Sequence, residues 1–171
     1  ITVISLNKMK KIVILGSTGS IGRNALSAIK KLGPGYTVLG LAANSNLDGL
    51  LAQARLLRPR YVSVFDYAAS GRVKNLLPRG VRLLAPGVEG LIEMASLKNA
   101  DIVLSAVTGA VGFAPLVAAI KASKQIALAN KEPMVMAGAA LMTEAKRWQA
   151  RIIPVDTEPS AIFQCLAGVK D

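Results

Sequence analysis

The stretch that decides the fold is KIVILGSTGSIG, residues 11–22. Its first five residues form a short apolar run that glycine bounds, which predicts a buried strand. Residues 16–22 then read G-x-x-G-x-x-G and lead into residues 21–32, where apolar residues recur at helical spacing. Glycines here permit a tight turn, and N–H groups at a helix start can hold a pyrophosphate. The strand, turn and helix together predict a nucleotide site.

Strand and helix patterns alternate along the rest of the chain. Apolar runs predict strands over 11–15, 37–43, 61–65, 81–84, 101–107, 125–129 and 151–155. Helical spacing predicts helices over 21–32, 48–57, 69–77, 88–97, 113–122 and 138–149. This alternation predicts an α/β fold, namely a Rossmann-like, doubly wound and mostly parallel sheet with helices on both faces.

Composition excludes several classes of chemistry. The 171 residues are 52% hydrophobic, which excludes a disordered chain. The sequence contains no histidine, so histidine acid–base catalysis, Ser-His-Asp triads and histidine-ligated zinc are excluded. Any metal site must use oxygen ligands, which favours Mg²⁺ or Mn²⁺. Cys165 cannot form an intrachain disulfide because it is the only cysteine, and its apolar, helix-like setting predicts a core position.

The chain carries a formal net charge of +11, which suits an anionic partner. No block of five like charges occurs and aromatics are only 4%, so we expect no nucleic-acid partner. Residues 102–120 are uncharged and approach the length of a membrane span. Ser105, Gly109 and Pro115 within them favour a strand, a turn and a helix, so we expect no membrane partner.

Three neutral residues, Asn44, Ser45 and Asn46, follow the second predicted strand. Folds specific for NAD place an acidic residue about 20 residues beyond the glycines, where it binds the ribose 2′-hydroxyl. No acid stands there, and Ser45 and Asn46 can donate to a 2′-phosphate. The pattern favours NADPH over NADH, the alternative being a simple turn that caps the next helix.

Two further polar groups follow predicted strands. Residues 129–132 read ANKE, in which an amide can face a cofactor and a lysine can face a phosphate or oxyanion; the alternative is a solvated loop. Residues 154–160 read PVDTEPS. In an extended chain Asp156 and Glu158 would point the same way and share a hard cation. The same residues also make a good helix start, so both readings stay open.

GSTGSIG (16–22), ANKE (129–132) and PVDTE with SAIFQ (154–164) together resemble the NADPH-binding portion of the 1-deoxy-D-xylulose-5-phosphate reductoisomerase family. The resemblance runs from about Met9 to the end of the chain, in the family's order and spacing. It implies an enzyme that rearranges and reduces 1-deoxy-D-xylulose 5-phosphate, a small phosphorylated sugar, to 2-C-methyl-D-erythritol 4-phosphate. It further implies NADPH, Mg²⁺ or Mn²⁺, and a place in non-mevalonate isoprenoid synthesis.

The resemblance also assigns roles by position. It implies catalytic roles for Lys131 and Glu158, substrate contacts by these two and Thr157, and metal ligation by Asp156 and Glu158. The implied cofactor contacts are Gly16, Thr18, Gly19, Ser20, Ile21, Gly22, Asn44, Ser45, Asn46, Asn130 and Glu132. The chain departs from the family where Asn44 replaces a common glycine, where a basic residue near Ser45 is missing, and where Pro159 replaces a usual histidine.

The resemblance divides the chain into an N-terminal extension (1–8), an NADPH-binding Rossmann-like domain (9–150) and the start of a truncated catalytic domain (151–171). Family chains are about twice as long or more, so we expect NADPH binding with little activity from this chain alone. The family implies a homodimer at full length, in a bacterial cytoplasm or a plastid stroma. Ile162, Phe163 and Leu166 should then expose apolar surface that is prone to associate.

Two other functions remain in competition with the enzyme. The chain could be a stand-alone NADP-binding module or sensor, which would need neither Lys131 nor the Asp156 and Glu158 pair. A semialdehyde dehydrogenase would need a cysteine nucleophile with a histidine base, and the absence of histidine makes this function the weakest of the three.

Overall fold

Seven parallel strands form one sheet in the computed structural model, which describes residues 9–167. The strands are β1 (Lys10–Leu15), β2 (Tyr36–Ala43), β3 (Tyr61–Val64), β4 (Arg82–Leu83), β5 (Ile102–Ser105), β6 (Gln125–Leu128) and β7 (Arg151–Pro154). Their order across the sheet is β4-β3-β2-β1-β5-β6-β7. Every pairing is parallel, which confirms the predicted α/β, doubly wound class.

Helices cover both faces of this sheet. They are α1 (Ser20–Leu32), α2 (Leu47–Leu57), α3 (Tyr67–Val73), α4 (Gly87–Ala95), α5 (Phe113–Lys121), α6 (Glu132–Arg147) and α7 (Thr157–Leu166). Alternation along β1 sends Ile12 and Ile14 into a cluster with α1, α2 and α3. Val13 and Leu15 point the other way, into a cluster with α4, α5 and α6. The apolar part of β1, residues 12–15, is therefore buried on both sides.

The direction in which strands are added reverses beside β1. Strands β2, β3 and β4 extend the sheet on one side of β1, and β5, β6 and β7 extend it on the other. The loops that leave β1 and β5 consequently diverge toward opposite faces. In open parallel sheets, ligands bind in the crevice that this reversal creates at the carboxyl ends of the strands.

Two glycines allow the turn after β1 to pack closely against its surroundings. Gly16 has φ +88°, and a Cβ placed on it would lie 2.3 Å from the carbonyl oxygen of Ala106, just beyond β5. A Cβ on Gly22 would lie 2.3 Å from the carbonyl oxygen of Gly16. Neither position has room for a side chain, so these glycines are required by the fold. Gly19 differs, because the nearest atom to its Cβ would be 3.4 Å away.

Two details of the predicted elements are wrong, and one open alternative is decided. Helix α6 begins at Glu132, six residues before the predicted start at 138, because Pro133 suits a first helical turn; the helix kinks at Ala137 (φ −153°, ψ 36°). Of the two alternatives left open for residues 156–158, the helix start is realised: Asp156 is the extended N-cap (φ −81°, ψ 156°), and Thr157 and Glu158 lie in the first turn of α7. Cys165 is exposed and does not lie in the core, because the side chains of α7 lie on the surface.

The structure tests some of the remaining sequence predictions, while others fall on residues outside the described range. Ile162, Phe163 and Leu166 are 61%, 41% and 62% exposed, which confirms the apolar surface expected on α7. Within residues 9–167, no helix is long and apolar enough to cross a membrane. The predicted extension, 1–8, lies outside the described residues, as do residues 168–171 of the last predicted segment.

The contrast between Gly22 and Gly19 can be tested by substitution. Gly22→Ala should lower the free energy of unfolding by roughly 2–3 kcal/mol, because its new Cβ meets backbone that cannot move aside. Gly19→Ala should change it by less than about 0.5 kcal/mol, since the new methyl group has space. Urea unfolding followed by circular dichroism measures both. Equal stability losses for the two variants would contradict the packing account.

Candidate nucleotide-binding site

A row of three cavities runs along the carboxyl ends of the strands. The central cavity, about 280 Å³, is lined by Gly16, Thr18, Gly19, Ala42, Ala43, Asn44, Phe65, Leu91, Ala106, Val107, Thr108 and Val111. The β6 cavity, about 200 Å³, is lined by Ile21, Ala106, Val107, Thr108, Ala129, Asn130, Lys131, Glu132 and Asp156. The α2–α3 cavity, about 340 Å³, is lined by Ser45, Asn46, Leu47, Asp48, Leu51, Arg72 and Leu76. The central and β6 cavities share Ala106, Val107 and Thr108, and the α2–α3 cavity begins at Ser45, the residue after Asn44; the three are together called the groove below.

The start of α1 faces this groove without a cap of its own. Its N-cap residue is Gly19, no side chain hydrogen-bonds to the helix start, and its first turn contains no acidic residue. The first N–H groups of a helix lack partners inside the helix, and they carry a partial positive charge. The donors near Ser20 and Ile21 are thus suited to an anionic group, and the open space above Gly19 lets that group approach the backbone.

The glycine turn itself is held rigidly. The N–H groups of Gly16 and Ser17 both donate to the carbonyl oxygen of Ala42, at 2.9 and 2.8 Å. Gln53 on α2 donates from Nε2 to the carbonyl oxygen of Ser17 at 2.9 Å. The turn is therefore fixed to β2 and α2, and a ligand would meet a preformed site there.

The polar residues after β2 divide between two of the cavities. Asn44 lines the central cavity, whereas Ser45 and Asn46 line the α2–α3 cavity. Asn46 also caps α2, since its Oδ1 accepts from the N–H of Gly49 at 3.0 Å. The capping alternative considered for this segment is thus realised at Asn46, while Asn44 and Ser45 remain available to a ligand.

Asn130 and Glu132 clamp the loop that follows β5. Glu132 accepts from the N–H of Gly109 at 3.0 Å and from Nδ2 of Asn130 at 2.6 Å. Asn130 Nδ2 also donates to the carbonyl oxygen of Gly109 at 3.2 Å. A Cβ on Gly112 would lie 1.9 Å from Asn130 Oδ1, so the loop packs directly on the amide. Asn130 is 2% exposed, and its Oδ1 lacks a partner in the described part of the chain.

The hydrogen bonds at this clamp stabilise the ionised carboxylate. The N–H of Glu132 itself and that of Gly109 hold the pKa of Glu132 below its ordinary value, and Asn130 and Lys131 act in the same direction. Partial burial opposes them. Glu132 is therefore ionised at neutral pH and keeps the loop at 106–112, which lines two of the cavities, in one position.

Lys131 and Asp156 meet at the far end of the groove. Lys131 Nζ lies 3.6 Å from Asp156 Oδ2, and the lysine side chain is 67% exposed. Asp156 also caps α7 by accepting from the N–H of Thr157 at 3.1 Å. This ion pair is solvated, so its contribution to stability is small. Its importance is that it places a cation and a carboxylate beside the β6 cavity.

The structure does not bring all the predicted site residues to the groove. Gly22 lies buried beneath the glycine turn, and Ser20, Thr157 and Glu158 line none of the three cavities. Among residues 9–167, no group of three or more His, Cys, Asp or Glu side chains could hold a metal ion. Asp156 and Glu158 have the oxygen chemistry for Mg²⁺ or Mn²⁺, but on their own they fit such a cation only in part.

Sequence reasoning missed two segments that line the groove, the loop after β5 and the end of α3. Thr108 and Val111 belong to the loop after β5, and the only local signal for this loop was its glycines. Arg72 enters the α2–α3 cavity from the end of α3. Nothing in the local sequence connects it to residues 45–48, since only the packing of α3 beside α2 brings them together.

The family model that matches the chain and a similar protein from a bacterium carry the same name. The family model described as 1-deoxy-D-xylulose 5-phosphate reductoisomerase matches residues 12–138. The protein of that name from Elusimicrobium minutum (strain Pei191) is 55% identical over 160 residues, covering 94% of this chain and 40% of that protein.

Two solved structures are also similar. The reductoisomerase from Zymomonas mobilis in complex with NADPH has a TM-score of 0.86 at 33% identity, covering 93% of this chain and 42% of that one. DOX-P reductoisomerase in complex with NADPH, fosmidomycin and magnesium has a TM-score of 0.85 at 40% identity, covering 93% of this chain and 39% of that one. The chain thus spans about 40% of the length of the relatives it matches.

The clamp predicts a particular pH dependence. Glu132→Gln should lower the free energy of unfolding at neutral pH, because its amide has one acceptor oxygen for two donors and so sets its NH₂ group against either the N–H of Gly109 or Asn130 Nδ2. The pKa of Glu132 is lowered by folding, so its contribution is complete above the unfolded value of about 4.5 and is lost as the pH falls through the folded value. The stability difference from wild type should therefore narrow below pH 4.5.

The measurement is urea unfolding at a series of pH values. Glu89→Gln is a matched control, since Glu89 also lies in the first turn of a helix but is exposed and makes no side-chain hydrogen bond among residues 9–167. A difference for Glu132→Gln that stays constant down to strongly acidic pH would show that the ionised clamp does not stabilise the loop.

Proposed function

The chain belongs to the 1-deoxy-D-xylulose 5-phosphate reductoisomerase family, and on that premise we propose that its groove binds NADPH. The observation that carries the proposal is the uncapped start of α1, where Gly19 leaves open space in front of free N–H donors. The pyrophosphate would lie there. We further propose that residues 9–150 are the NADPH-binding domain; β7 extends the same sheet beyond residue 150.

The order of the cavities supports one orientation for the cofactor. Pyrophosphate at α1 would occupy the middle of the groove, with Asn44 on one side and Thr108 on the other. The adenosine half would lie toward the end of β2, where the neutral residues 44–46 favour NADPH. The nicotinamide half would lie toward the β6 cavity, near Lys131. When bound, the cofactor supplies a hydride.

The residues of the β6 cavity support a role in substrate binding. Lys131 offers an exposed ammonium group that can hold a phosphorylated sugar or a developing oxyanion. The Asn130 and Glu132 clamp would fix the loop against which the nicotinamide packs, so these residues would orient the reacting face. We propose reduction and rearrangement of 1-deoxy-D-xylulose 5-phosphate, giving 2-C-methyl-D-erythritol 4-phosphate, as the activity of the whole protein.

The proposed metal site uses two carboxylates at the start of α7. Asp156 and Glu158 would be two ligands of Mg²⁺ or Mn²⁺, and Thr157 and Glu158 would contact substrate. Asp156 lies beside Lys131, so a cation there would have to compete with the ammonium group for the carboxylate. Residues 9–167 contain no group of three or more possible metal ligands, which supports the second candidate, an NADP-binding module without catalysis, for this chain acting alone.

Assembly and location follow from the same premise. We propose a homodimer for the full-length protein, and the exposed apolar residues of α7 support association. The bacterial source of the relatives favours the bacterial cytoplasm over a plastid stroma.

The cofactor proposal is tested by titrating the chain with NADPH and with NADH while following nicotinamide fluorescence. We expect saturable binding of both, with NADPH bound more tightly. Gly19→Ala should weaken both cofactors about equally, because its methyl group would obstruct the pyrophosphate common to them. Gly35→Ala is a matched control, since a Cβ there meets no atom within 4 Å and lies far along the chain from the turn. Failure of the folded wild-type chain to bind either cofactor would contradict the proposal.

The catalytic proposal makes a separate prediction. With NADPH and Mg²⁺ supplied, the 171-residue chain should consume little or no NADPH when 1-deoxy-D-xylulose 5-phosphate is added, because residues 9–167 contain no group of three or more side chains that could hold the metal. Absorbance at the NADPH maximum measures the rate. Substantial turnover that Asp156→Asn abolishes would show that the two carboxylates suffice for a working metal site.

A further inference from the structure

The α2–α3 cavity lies where the groove leaves the glycine turn. Residues Ala43 and Asn44 line the central cavity, and the next residues, 45–48, line the α2–α3 cavity. The two cavities therefore adjoin at the end of β2. A dinucleotide whose pyrophosphate sits at α1 would place its adenosine ribose near this boundary. Its 2′ substituent would then be directed toward the α2–α3 cavity.

The segment after β2 supplies no positive charge for that substituent. Residues 40–54 contain no lysine or arginine, and their only charged residue is Asp48. A 2′-phosphate carries nearly two negative charges at neutral pH and needs cationic or strong hydrogen-bond donors. The neutral Asn46 is already committed to capping α2. The cation must come from another element if this fold is to prefer NADPH.

Arg72 is positioned to supply that cation. It reaches the cavity from α3, and it alone among the lining residues is positively charged. The ion pairs within residues 9–167 are Arg82 with Glu93, Lys131 with Asp156 and Arg147 with Glu144, so Arg72 takes part in none of them. A guanidinium offers several N–H donors in a planar arrangement that fits phosphate oxygens.

We infer that Arg72, together with the Ser45 hydroxyl, binds the 2′-phosphate of NADPH and determines the preference for NADPH over NADH. This inference rests on the proposed function. Asp48 opposes it, because its carboxylate lines the same cavity and repels a phosphate. The two charges should thus have opposite effects: removal of the Arg72 charge weakens NADPH binding, and removal of the Asp48 charge strengthens it.

The test compares dissociation constants for NADPH and NADH in Arg72→Gln, Arg72→Lys and Asp48→Asn. Arg72→Gln should weaken NADPH about tenfold and leave NADH within about twofold, since NADH has a hydroxyl at the 2′ position. Arg72→Lys should recover part of the loss, and Asp48→Asn should tighten NADPH alone. Arg79→Gln is the matched control, because it removes the same charge from an exposed arginine that lines none of the three cavities.

A second readout uses adenosine 2′,5′-bisphosphate and adenosine 5′-monophosphate, so that the nicotinamide end plays no part. The bisphosphate should bind more tightly to wild type, and Arg72→Gln should remove the difference. If wild type prefers NADPH but Arg72→Gln keeps the full preference, the inference is wrong and the proposed function stands. If the folded wild-type chain binds neither dinucleotide, the proposed function and this inference are both wrong.

Discussion

The approach of the Gly16 backbone to the carbonyl oxygen of Ala106 is the constraint on which the rest of the site depends. It brings the turn after β1 against the chain just beyond β5, at the point where the order of strands reverses. Gly22 then lets α1 pack on that turn. The start of α1 is thereby held over the crevice, where its N-cap Gly19 lines the central cavity and Ile21 lines the β6 cavity. Any side chain at either glycine would separate these layers.

Electrostatics along the groove follow from this arrangement. The uncapped start of α1 provides a partial positive charge in the middle, and Lys131 and Arg72 provide full charges toward the two ends. The cofactor proposed for the groove has an anionic middle and, in NADPH, an anionic adenosine end. The charge of Glu132 differs from those of Lys131 and Arg72, because its carboxylate accepts hydrogen bonds from the N–H of Gly109 and from Asn130 Nδ2. It is therefore not a free charge in the groove.

The parts of the fold that the sequence predicted well are those with local causes. The KIVIL run, the glycine turn and the helical spacing of residues 21–32 each depend on neighbours in the chain, and β1 and α1 form there. The sequence predicts the start of helix α6 six residues late, because Asn130 and Lys131 resemble a loop. The contact that fixes the start of this helix is the hydrogen bond from the N–H of Gly109 to Glu132, and Gly109 is distant in the chain. Cys165 was placed in the core because apolar neighbours favour burial, yet burial depends on which element packs above α7.

The sequence by itself determined the alternation of strands and helices, the glycine turn after β1 and the absence of histidine chemistry. Periodicity, glycine and composition are properties of the chain that need no partner. Only the tertiary structure decided that Asn130 lies beneath the loop at 106–112, that Asp156 pairs with Lys131, and that Arg72 lines the cavity beside Ser45. In each of these three cases, the two contacting segments are far apart in the chain and belong to different elements. Their contacts arise from strand order and helix packing, which bring remote segments to one edge of the sheet.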